Sequence, residues 1–400
     1  MSRNDKSKKI NIALTLKGID RTLVAVVLLM LLYGSIMVFS SSAPYAQSNH
    51  NDALYYAKRQ VFWAILGVIG MFVLAALPSE FHKKYVAQIG FGIAVILLIA
   101  VLLSGGAIKR WITIGPITFQ PSELMKPMII LVIARYMERF EEYIKRNGIY
   151  QRGGLVGSIA DKKAFRKASL YGVFIPIGIV FSVCLLIMLE NHFSGTLITF
   201  CIGAIVIFAG GAMLRWFVGA GAVMCGVVFA VLFGTDYASE RIDIWLHPEL
   251  FSVSDETWQI TQGLIAIGSG GIFGTGLGNG LQKQLYVSAP HNDFIFSIVC
   301  EELGLIGALL VIGLFFAFAR RGISLATETD SLFSSLVAVG IVGHISLQAF
   351  LNIGVVTGTI PNTGVTLPFF SYGGSALVVL LCEAGILLSV TKKSRKKGEN

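Results

Sequence analysis

Long apolar runs alternate with short polar segments along almost the whole chain. A helix that crosses a membrane needs about 20 mostly apolar residues, and the first run exceeds the apolar core of roughly 7–15 residues found in a signal peptide. The fourth run is short and opens with Pro121, which suits the first turn of a helix. The pattern predicts about ten membrane-spanning helices. They cover approximately residues 22–42, 61–78, 86–103, 121–137, 170–189, 195–213, 216–234, 293–318, 331–351 and 366–390.

The positions of Lys and Arg predict how these helices are oriented. With a cytoplasmic N-terminus, 25 of the 32 basic residues lie on the cytoplasmic side, 6 lie outside, and Lys126 alone lies within a span. Because cytoplasmic loops carry the excess of basic residues, both termini are expected in the cytoplasm. The expected fold is a single all-α integral membrane domain over residues 1–400. Its parts are a transmembrane core (22–390), a cytoplasmic loop (138–169), a large extracytoplasmic loop between helices 7 and 8 (235–292) and a basic cytoplasmic tail (391–400).

Composition supports this class of protein. The chain is 54% hydrophobic and only 14% charged, whereas a soluble domain averages about 25% charged residues. The net charge of +9 follows from the cytoplasmic basic segments, so it does not indicate nucleic acid. The five cysteines lie in apolar runs without metal-ligand spacing, which favours a packing role.

Two polar loops are long enough to need an explanation. The loop 138–169 mixes both signs of charge, which fits a solvated connector or a helix lying on anionic lipid. The outer loop 235–292 is too long for a structureless connector, and loops of that size usually have a function. Its end, from Trp258 to Gly304, combines amides, glycines, a histidine and carboxylates between apolar runs. We expect this stretch to lie at the membrane surface and to line a cavity.

A glycine cluster at residues 268–280 has two interpretations. It lacks the Lys-Ser/Thr pair of a nucleotide-binding loop. Its backbone N–H groups could form a cradle for an anion such as a diphosphate. The alternative is that the glycines only permit turns and close packing.

Asp293 is the leading candidate for chemistry. A carboxylate at the start of a helix is favoured by the helix dipole, so one interpretation is helix capping. The other is a general base at the mouth of a cavity. Glu301 and Glu302 follow on the same predicted helix and favour the second interpretation, because carboxylates within a membrane are functional candidates.

Other polar residues interrupt the predicted spans. Glu123 and Lys126 are three residues apart on one helix, which fits either a structural ion pair or a lining of the substrate cavity. His344 and Gln348 are one turn apart and favour interhelical hydrogen bonds over catalysis. Proline and glycine at 361–374 predict broken helix, which is tolerated where the backbone is buried in protein or lines a cavity.

Four of these stretches together resemble the SEDS family of bacterial cell-wall polymerases, which includes FtsW, RodA and SpoVE. They are RWITIGPITFQPSELMK (110–126), WQITQGLIAIGSGGIFGTGLGNG (258–280), HNDFIFSIVCEELG (291–304) and LPFFSYGGSA (367–376), and they occur in the family's order. The long cytoplasmic loop and the TGTIPNTGVTLPFFSYGG ending look closest to the FtsW/SpoVE branch.

The resemblance implies a peptidoglycan glycosyltransferase that polymerises lipid II at the outer face of the cytoplasmic membrane. It places the essential carboxylate at Asp293 and the conserved cavity pair at Glu123 and Lys126. Candidate substrate-binding residues within or beside the matching motifs are Arg110, Gln120, Trp258, Gln262, Gly268, Gly270, Gly271, His291, Ser371 and Tyr372. No metal ligands are assigned; a divalent cation, Mg or Mn, is an open expectation.

The resemblance also implies location and partners. It points to septal wall synthesis in the plasma membrane, with a class B penicillin-binding protein and other division or elongation proteins as partners, alongside membrane lipid. One departure stands out: the family commonly has Pro-Asp-x-Gly-Thr after the fifth span, whereas this chain has Glu190 to Thr196, ENHFSGT, without the aspartate. Two alternatives stay open, a flippase for lipid-linked precursor and a non-catalytic division scaffold.

Overall fold

The computed structural model of the protein describes most of the predicted core. It covers residues 18–103, 110–114, 117–145, 162–213, 216–219, 221–222, 226, 245 and 255–392. Most of the predicted seventh span (216–234), the middle of the cytoplasmic loop and most of the basic tail therefore lie outside the described residues.

The described part of the chain is mostly helical. Its helices are α1 (Arg21–His50), α2 (Tyr55–Ala76), α3 (Ser79–Leu103, π-helical over His82–Gly90), α4 (Pro121–Arg139), α5 (Glu141–Lys145), α6 (Lys162–Ser169), α7 (Ile175–Leu189), α8 (Phe193–Ala209), α9 (Asp255–Gly270), α10 (Ile295–Thr327), α11 (Leu332–Val356) and α12 (Ser375–Val390). The π-helical segment Leu170–Phe174 joins α6 to α7.

Six helical segments are long and apolar enough to cross a membrane, and α8 and α12 are shorter apolar helices. The six are α1, α2, α3, Arg166–Leu189, α10 and α11. Their outer faces carry large apolar side chains, such as Ile96 and Phe316, which are 67% and 69% exposed. Lipid is the solvent that suits so much exposed apolar surface. The prediction of an all-α, multi-pass membrane protein is confirmed.

Some predicted boundaries are wrong. The last helix begins at Ser375 and not at 366, because the chain through Pro368 is broken and Gly374 adopts a positive φ of 39°. The broken segment satisfies its backbone locally: the Leu367 N–H donates to Ser371 Oγ at 2.8 Å. The predicted outer loop also contains a 16-residue helix, α9. The hydrophobic pattern did not predict this helix.

Helix α4 lies in the middle of the bundle, against α3, α8 and α11. Most of its residues are buried, including the charged Glu123 and Lys126. It is preceded by a two-stranded antiparallel hairpin, β1 (Ile112–Ile114) and β2 (Ile117–Phe119), which pairs Thr113 with Thr118. The hairpin leads directly into Gln120 and the first turn of α4, so it places one wall of the candidate site.

Candidate active site

A polar cavity of about 370 Å³ lies between the ends of several helices. The broken segment before α12, the β-hairpin and the starts of α4 and α8 each contribute to its wall. The residues that line it are Arg59, Trp63, Arg110, Trp111, Thr118, Gln120, Glu123, Lys126, His192, Ser194, Gly195, Ile198, Asn292, Asp293, Gln348, Gly364, Val365, Thr366, Tyr372, Gly373, Gly374 and Ala376. Asp293, Glu123, Lys126, Arg110, Gln120 and Tyr372 were predicted from the sequence, and the fold brings them together.

Asp293 lies just before α10 and faces the cavity. The helix is capped by Phe294 without a side-chain hydrogen bond, so the helix-capping interpretation of Asp293 is wrong. Burial raises the pKa of the Asp293 carboxyl to about 6. Its main chain is held by Asn352, whose Nδ2 donates to the Asp293 carbonyl oxygen at 2.7 Å. The structure therefore fixes the backbone of Asp293 and presents its carboxyl group to the cavity.

Glu123 and Lys126 form a buried ion pair on the first turns of α4. Lys126 Nζ lies 2.7 Å from Glu123 Oε1, and the residues are only 2% and 8% exposed, respectively. Lys126 Nζ also donates to Gln348 Oε1 at 3.1 Å. Removing one member of a buried pair leaves an uncompensated charge, at a cost of about 3–5 kcal/mol. The structure therefore shows the ion pair and places both residues in the cavity lining, and their contact with substrate stays a prediction.

Two arginines add positive charge to the cavity wall. Arg110 was predicted, and its guanidinium donates to the main-chain oxygens of Glu190 and Asn191. Arg59 on α2 was missed, because no motif surrounds it in the sequence. Its guanidinium lies over the Tyr55 ring at 4.5 Å. With Lys126, these side chains supply three cationic groups around one cavity that also contains Asp293.

The segment that departs from the family pattern contributes His192 to the cavity. His192 Nδ1 lies 3.2 Å from Ser122 Oγ and 3.3 Å from Gln120 Nε2. Burial lowers the pKa of His192 to about 4, so its imidazole is neutral at physiological pH. Glu190 lies behind the wall, and neither of its carboxyl oxygens has a hydrogen-bond partner among the described residues. Burial raises the pKa of Glu190 to about 7.

His291 and Ser371 support the Asp293 segment from outside the cavity. The His291 carbonyl accepts a hydrogen bond from the Tyr372 N–H at 2.8 Å, and Ser371 Oγ donates to the Asn292 carbonyl at 2.8 Å. The His291 ring is buried against Tyr56, with ring centroids 4.4 Å apart. Burial lowers the pKa of His291 to about 4. Among the described contacts these two residues hold the loop, whereas Tyr372 reaches the cavity.

Several N–H groups in and beside the glycine cluster already have hydrogen-bond partners in the described structure. The N–H groups of Thr275 and Gly276 donate to the carbonyls of Glu301 and Glu302, both at 2.9 Å. The N–H of Leu281 donates to the Glu301 carboxylate at 2.7 Å. Because these amides are already paired, the alternative of turns and close packing fits better. Gly268, Gly270 and Gly271 lie outside the cavity lining.

The sequence favoured a functional role for Glu301 and Glu302 beside Asp293. In the structure, neither glutamate lines the cavity. Glu302 is fully buried and pairs with Lys283 at 2.6 Å, while Ser40 Oγ donates to the same carboxylate. Both glutamates tie the segment after α9 to α10. Of the three carboxylates in this region, Glu301 and Glu302 on α10 hold the neighbouring segment, whereas Asp293, which precedes α10, lines the cavity.

Trp258 and Gln262 lie on α9 and outside the cavity lining. Trp258 Nε1 donates to the Tyr286 carbonyl at 2.6 Å, which fastens α9 to the chain before His291. Gln262 is buried, at 7% exposed. These two predicted substrate-binding residues therefore do not line the cavity, and their role in substrate binding stays a prediction.

The side chains around the cavity also bear on metal binding. No group of three or more His, Cys, Asp or Glu residues there is placed to hold a metal ion. The donor set around the cavity is instead rich in nitrogen cations, namely Arg59, Arg110 and Lys126. Because Mg²⁺ is commonly bound by one or two carboxylates together with substrate phosphates, the divalent cation expected from the sequence stays a prediction.

These features define an integral membrane protein whose helices enclose a charged cavity with one half-buried aspartate. A family model described as a cell cycle protein, FtsW/RodA/SpoVE, matches residues 20–396. The chain belongs to the FtsW/RodA/SpoVE family, and it is a multi-pass protein of the cytoplasmic membrane.

Individual relatives match over nearly their whole length. Stage V sporulation protein E of Bacillus subtilis is 38% identical, with 94% of this chain and 98% of the relative covered. A probable peptidoglycan glycosyltransferase FtsW of Geobacter metallireducens is 34% identical, with 97% and 99% covered. A chain from a peptidoglycan synthase complex, studied for its coordination of polymerization and crosslinking, superposes with a TM-score of 0.71 at 26% identity, covering 94% of this chain and 98% of that one. The rod shape determining protein RodA of Thermus thermophilus shares the fold, with a TM-score of 0.65 at 24% identity, covering 96% of this chain and 99% of RodA.

Proposed function

We propose that the protein is a peptidoglycan glycosyltransferase that polymerises lipid II at the outer face of the cytoplasmic membrane. The observation that carries the proposal is the cavity, which places the half-buried Asp293 carboxyl among Arg59, Arg110 and Lys126. The names of the FtsW relatives, probable peptidoglycan glycosyltransferases, support the same activity.

Asp293 is the general base of the proposed reaction. The 4-hydroxyl oxygen of the acceptor GlcNAc forms a bond to the anomeric carbon of the donor, and the bond from that carbon to the diphosphate oxygen breaks. The hydroxyl proton passes to the Asp293 carboxylate, and undecaprenyl diphosphate leaves with inversion at the anomeric carbon. A carboxyl pKa of about 6 makes Asp293 a stronger base than an exposed aspartate while it is still ionised at neutral pH.

The cationic side chains stabilise the leaving group. Negative charge grows on the diphosphate as its bond to the sugar breaks, and fixed cations around a cavity of low dielectric stabilise that charge strongly. Arg110 is held by two main-chain carbonyls, and Lys126 by Glu123 and Gln348. Both groups are therefore oriented before substrate binds, which lowers the cost of reorganisation.

The proposal is tested by polymerisation of labelled lipid II by purified protein in detergent. General-base help is worth about 10²–10⁴-fold in rate, so Asp293→Ala should lose that much activity. Asp293→Asn is the matched variant, since it keeps the size of the side chain and removes the basic oxygen. Thermal unfolding of both variants serves as the control for folding.

The outcomes separate the alternatives. A polymer ladder from the wild type that both variants lose supports the transferase with Asp293 as its base. A normal yield from Asp293→Ala contradicts the role of this residue. No ladder from the wild type, even with a transpeptidase partner added, favours the flippase or the scaffold, because movement of a lipid across a bilayer is invisible in detergent.

We further infer a role in septal wall synthesis beside a class B penicillin-binding protein. Similarity to FtsW proteins and to SpoVE, at 32–38% identity, supports the septal branch. The superposable chain from a synthase complex that joins polymerization to crosslinking supports a transpeptidase partner. Co-purification of this chain with its organism's class B enzymes tests the pairing, and recovery of none of them contradicts it.

A further inference from the structure

One face of α11 carries three buried amide or imidazole side chains at intervals of four residues. His344, Gln348 and Asn352 are each no more than 1% exposed. Residues four apart lie on the same side of a helix. Gln348 reaches Lys126, and Asn352 reaches the main chain of Asp293. This face of α11 therefore contacts both of the groups that the proposed reaction needs.

Gln348 can bond in only one orientation. Its Nε2 donates to the carbonyl of Thr366 at 3.1 Å, so the nitrogen end of the amide is defined by its partner. Its Oε1 then faces Lys126 Nζ at 3.1 Å and His344 Nε2 at 3.0 Å. An amide oxygen only accepts hydrogen bonds. His344 Nε2 must therefore carry a hydrogen.

The other nitrogen of His344 contacts Glu383 on α12. Nδ1 lies 2.8 Å from Glu383 Oε2, and the glutamate is fully buried. One proton lies between these two atoms, whichever of them holds it. The contact thus sets the ring orientation that directs Nε2–H toward Gln348. A third residue that orients an imidazole is a familiar way to fix its hydrogen-bonding role.

We propose that Glu383 and His344 are positioning residues that hold Lys126 in the cavity through Gln348. The proposal rests on the proposed function for the role of Lys126 at the substrate diphosphate. Glu383 orients His344, His344 and Thr366 together hold the two ends of the Gln348 amide, and the Gln348 oxygen directs the Lys126 ammonium. Without Glu383, the His344 ring is free to turn away from Gln348. The Gln348 amide is then held by Thr366 alone, so its oxygen directs the Lys126 ammonium less firmly.

The kinetic test compares Glu383→Leu with Glu383→Gln. The amide of Glu383→Gln offers both a donor and an acceptor to Nδ1, whereas Glu383→Leu offers neither. Lys126 already binds the charged diphosphate in the ground state, so loss of its position should raise KM. Because more negative charge grows on the diphosphate in the transition state, kcat should fall as well. We expect about a tenfold rise in KM for Glu383→Leu and near wild-type kinetics for Glu383→Gln.

Ser389→Ala is the matched control on the same helix. Ser389 is buried and donates to the Leu77 carbonyl, at the end of α12 away from the cavity. This variant should lower the unfolding temperature and leave KM unchanged. If Glu383→Leu fails to fold, Glu383→Asp keeps the acid and shortens its reach, and a smaller rise in KM is expected. An unchanged KM in the folded Glu383 variants would overturn the proposal.

A second measurement does not depend on activity. If the four residues act as one unit, the unfolding temperature of Lys126→Met and Glu383→Leu combined should fall by less than the sum of the single shifts. Lys126→Met combined with Ser389→Ala should give additive shifts. Additivity in both pairs overturns the proposal. Absence of polymer from the wild type, with coupling intact, would instead count against the proposed function alone.

Discussion

Asp293 and Glu301 show how one kind of functional group acquires two roles through its contacts. The Glu301 carboxylate accepts N–H bonds from Leu281 and Gln282 and so closes a loop. The Asp293 carboxyl receives no hydrogen bond from the described residues and faces the cavity, where burial raises its pKa to about 6. A carboxylate stabilised by donors is a poor base, and one without them is a better base.

The raised pKa of Asp293 predicts a pH dependence of the transferase. A general base acts in its ionised form, and a carboxyl with a pKa of about 6 is mostly protonated below that pH. The initial rate of lipid II polymerisation should therefore rise with pH through about 6 and level off above it, which a series of rates between about pH 5 and 8 would measure. Thermal unfolding at each pH is the control. A rate that stays constant through this range in folded protein would contradict the assignment.

At the scale of elements, α9 and α10 are held together by a very close approach. A Cβ atom built on Gly270 would lie 1.9 Å from the Cys300 carbonyl oxygen, whereas one built on Gly268 would meet nothing within 4 Å. The glycine cluster also wraps the point where α10 departs from helical geometry, at Gly304 with a φ of 64°. At Gly270 and Gly304 a Cβ atom would clash with neighbouring backbone, so glycine is required there. At Gly268 there is room for a Cβ atom.

This contrast predicts opposite effects for two alanine substitutions on α9. Gly268→Ala should be neutral or stabilise the helix by about 0.5–1 kcal/mol, because alanine loses less backbone entropy than glycine. Gly270→Ala should lower the unfolding temperature in detergent, since α9 must move away from the Cys300 carbonyl. Equal unfolding temperatures for the two variants would contradict the packing described for this pair of helices.

At the scale of the whole molecule, the basic residues orient the bundle. Two ion pairs, Arg321 with Asp20 and Lys83 with Glu138, lie toward one end of the bundle. The cavity lies near the opposite ends of these helices. The positive-inside rule places the end with the ion pairs in the cytoplasm. The cavity then opens toward the outer face, where a lipid-linked sugar would meet it.

Labelling of single introduced cysteines tests this orientation. Ser48 at the end of α1 and Asp330 between α10 and α11 are both exposed. A membrane-impermeant maleimide should label Ser48→Cys in intact cells and Asp330→Cys only after the cells are opened. The unsubstituted chain gives the background from the five native cysteines. The reverse pattern would contradict the predicted orientation and the outer-face site together.

Hydropathy, basic residues and contiguous motifs were sufficient for the class of fold, the family and the core of the site. Each of these is a local signal: 20 apolar residues predict a span wherever they pack, and Glu123 and Lys126 meet because they lie one turn apart. Asp293 was found for a similar reason, since its motif is continuous in sequence. Such features need no knowledge of which helices are neighbours.

Tertiary structure alone decided which polar groups share the cavity. Arg59 joins Asp293 from α2, His192 arrives from the segment before α8, and Glu383 reaches Lys126 through two residues of α11. The N–H groups of Thr275 and Gly276, which looked available in the sequence, are paired with the carbonyls of Glu301 and Glu302. Hydrogen bonds and ion pairs act over about 3 Å, so residues distant in sequence become partners only when helix packing brings their faces together.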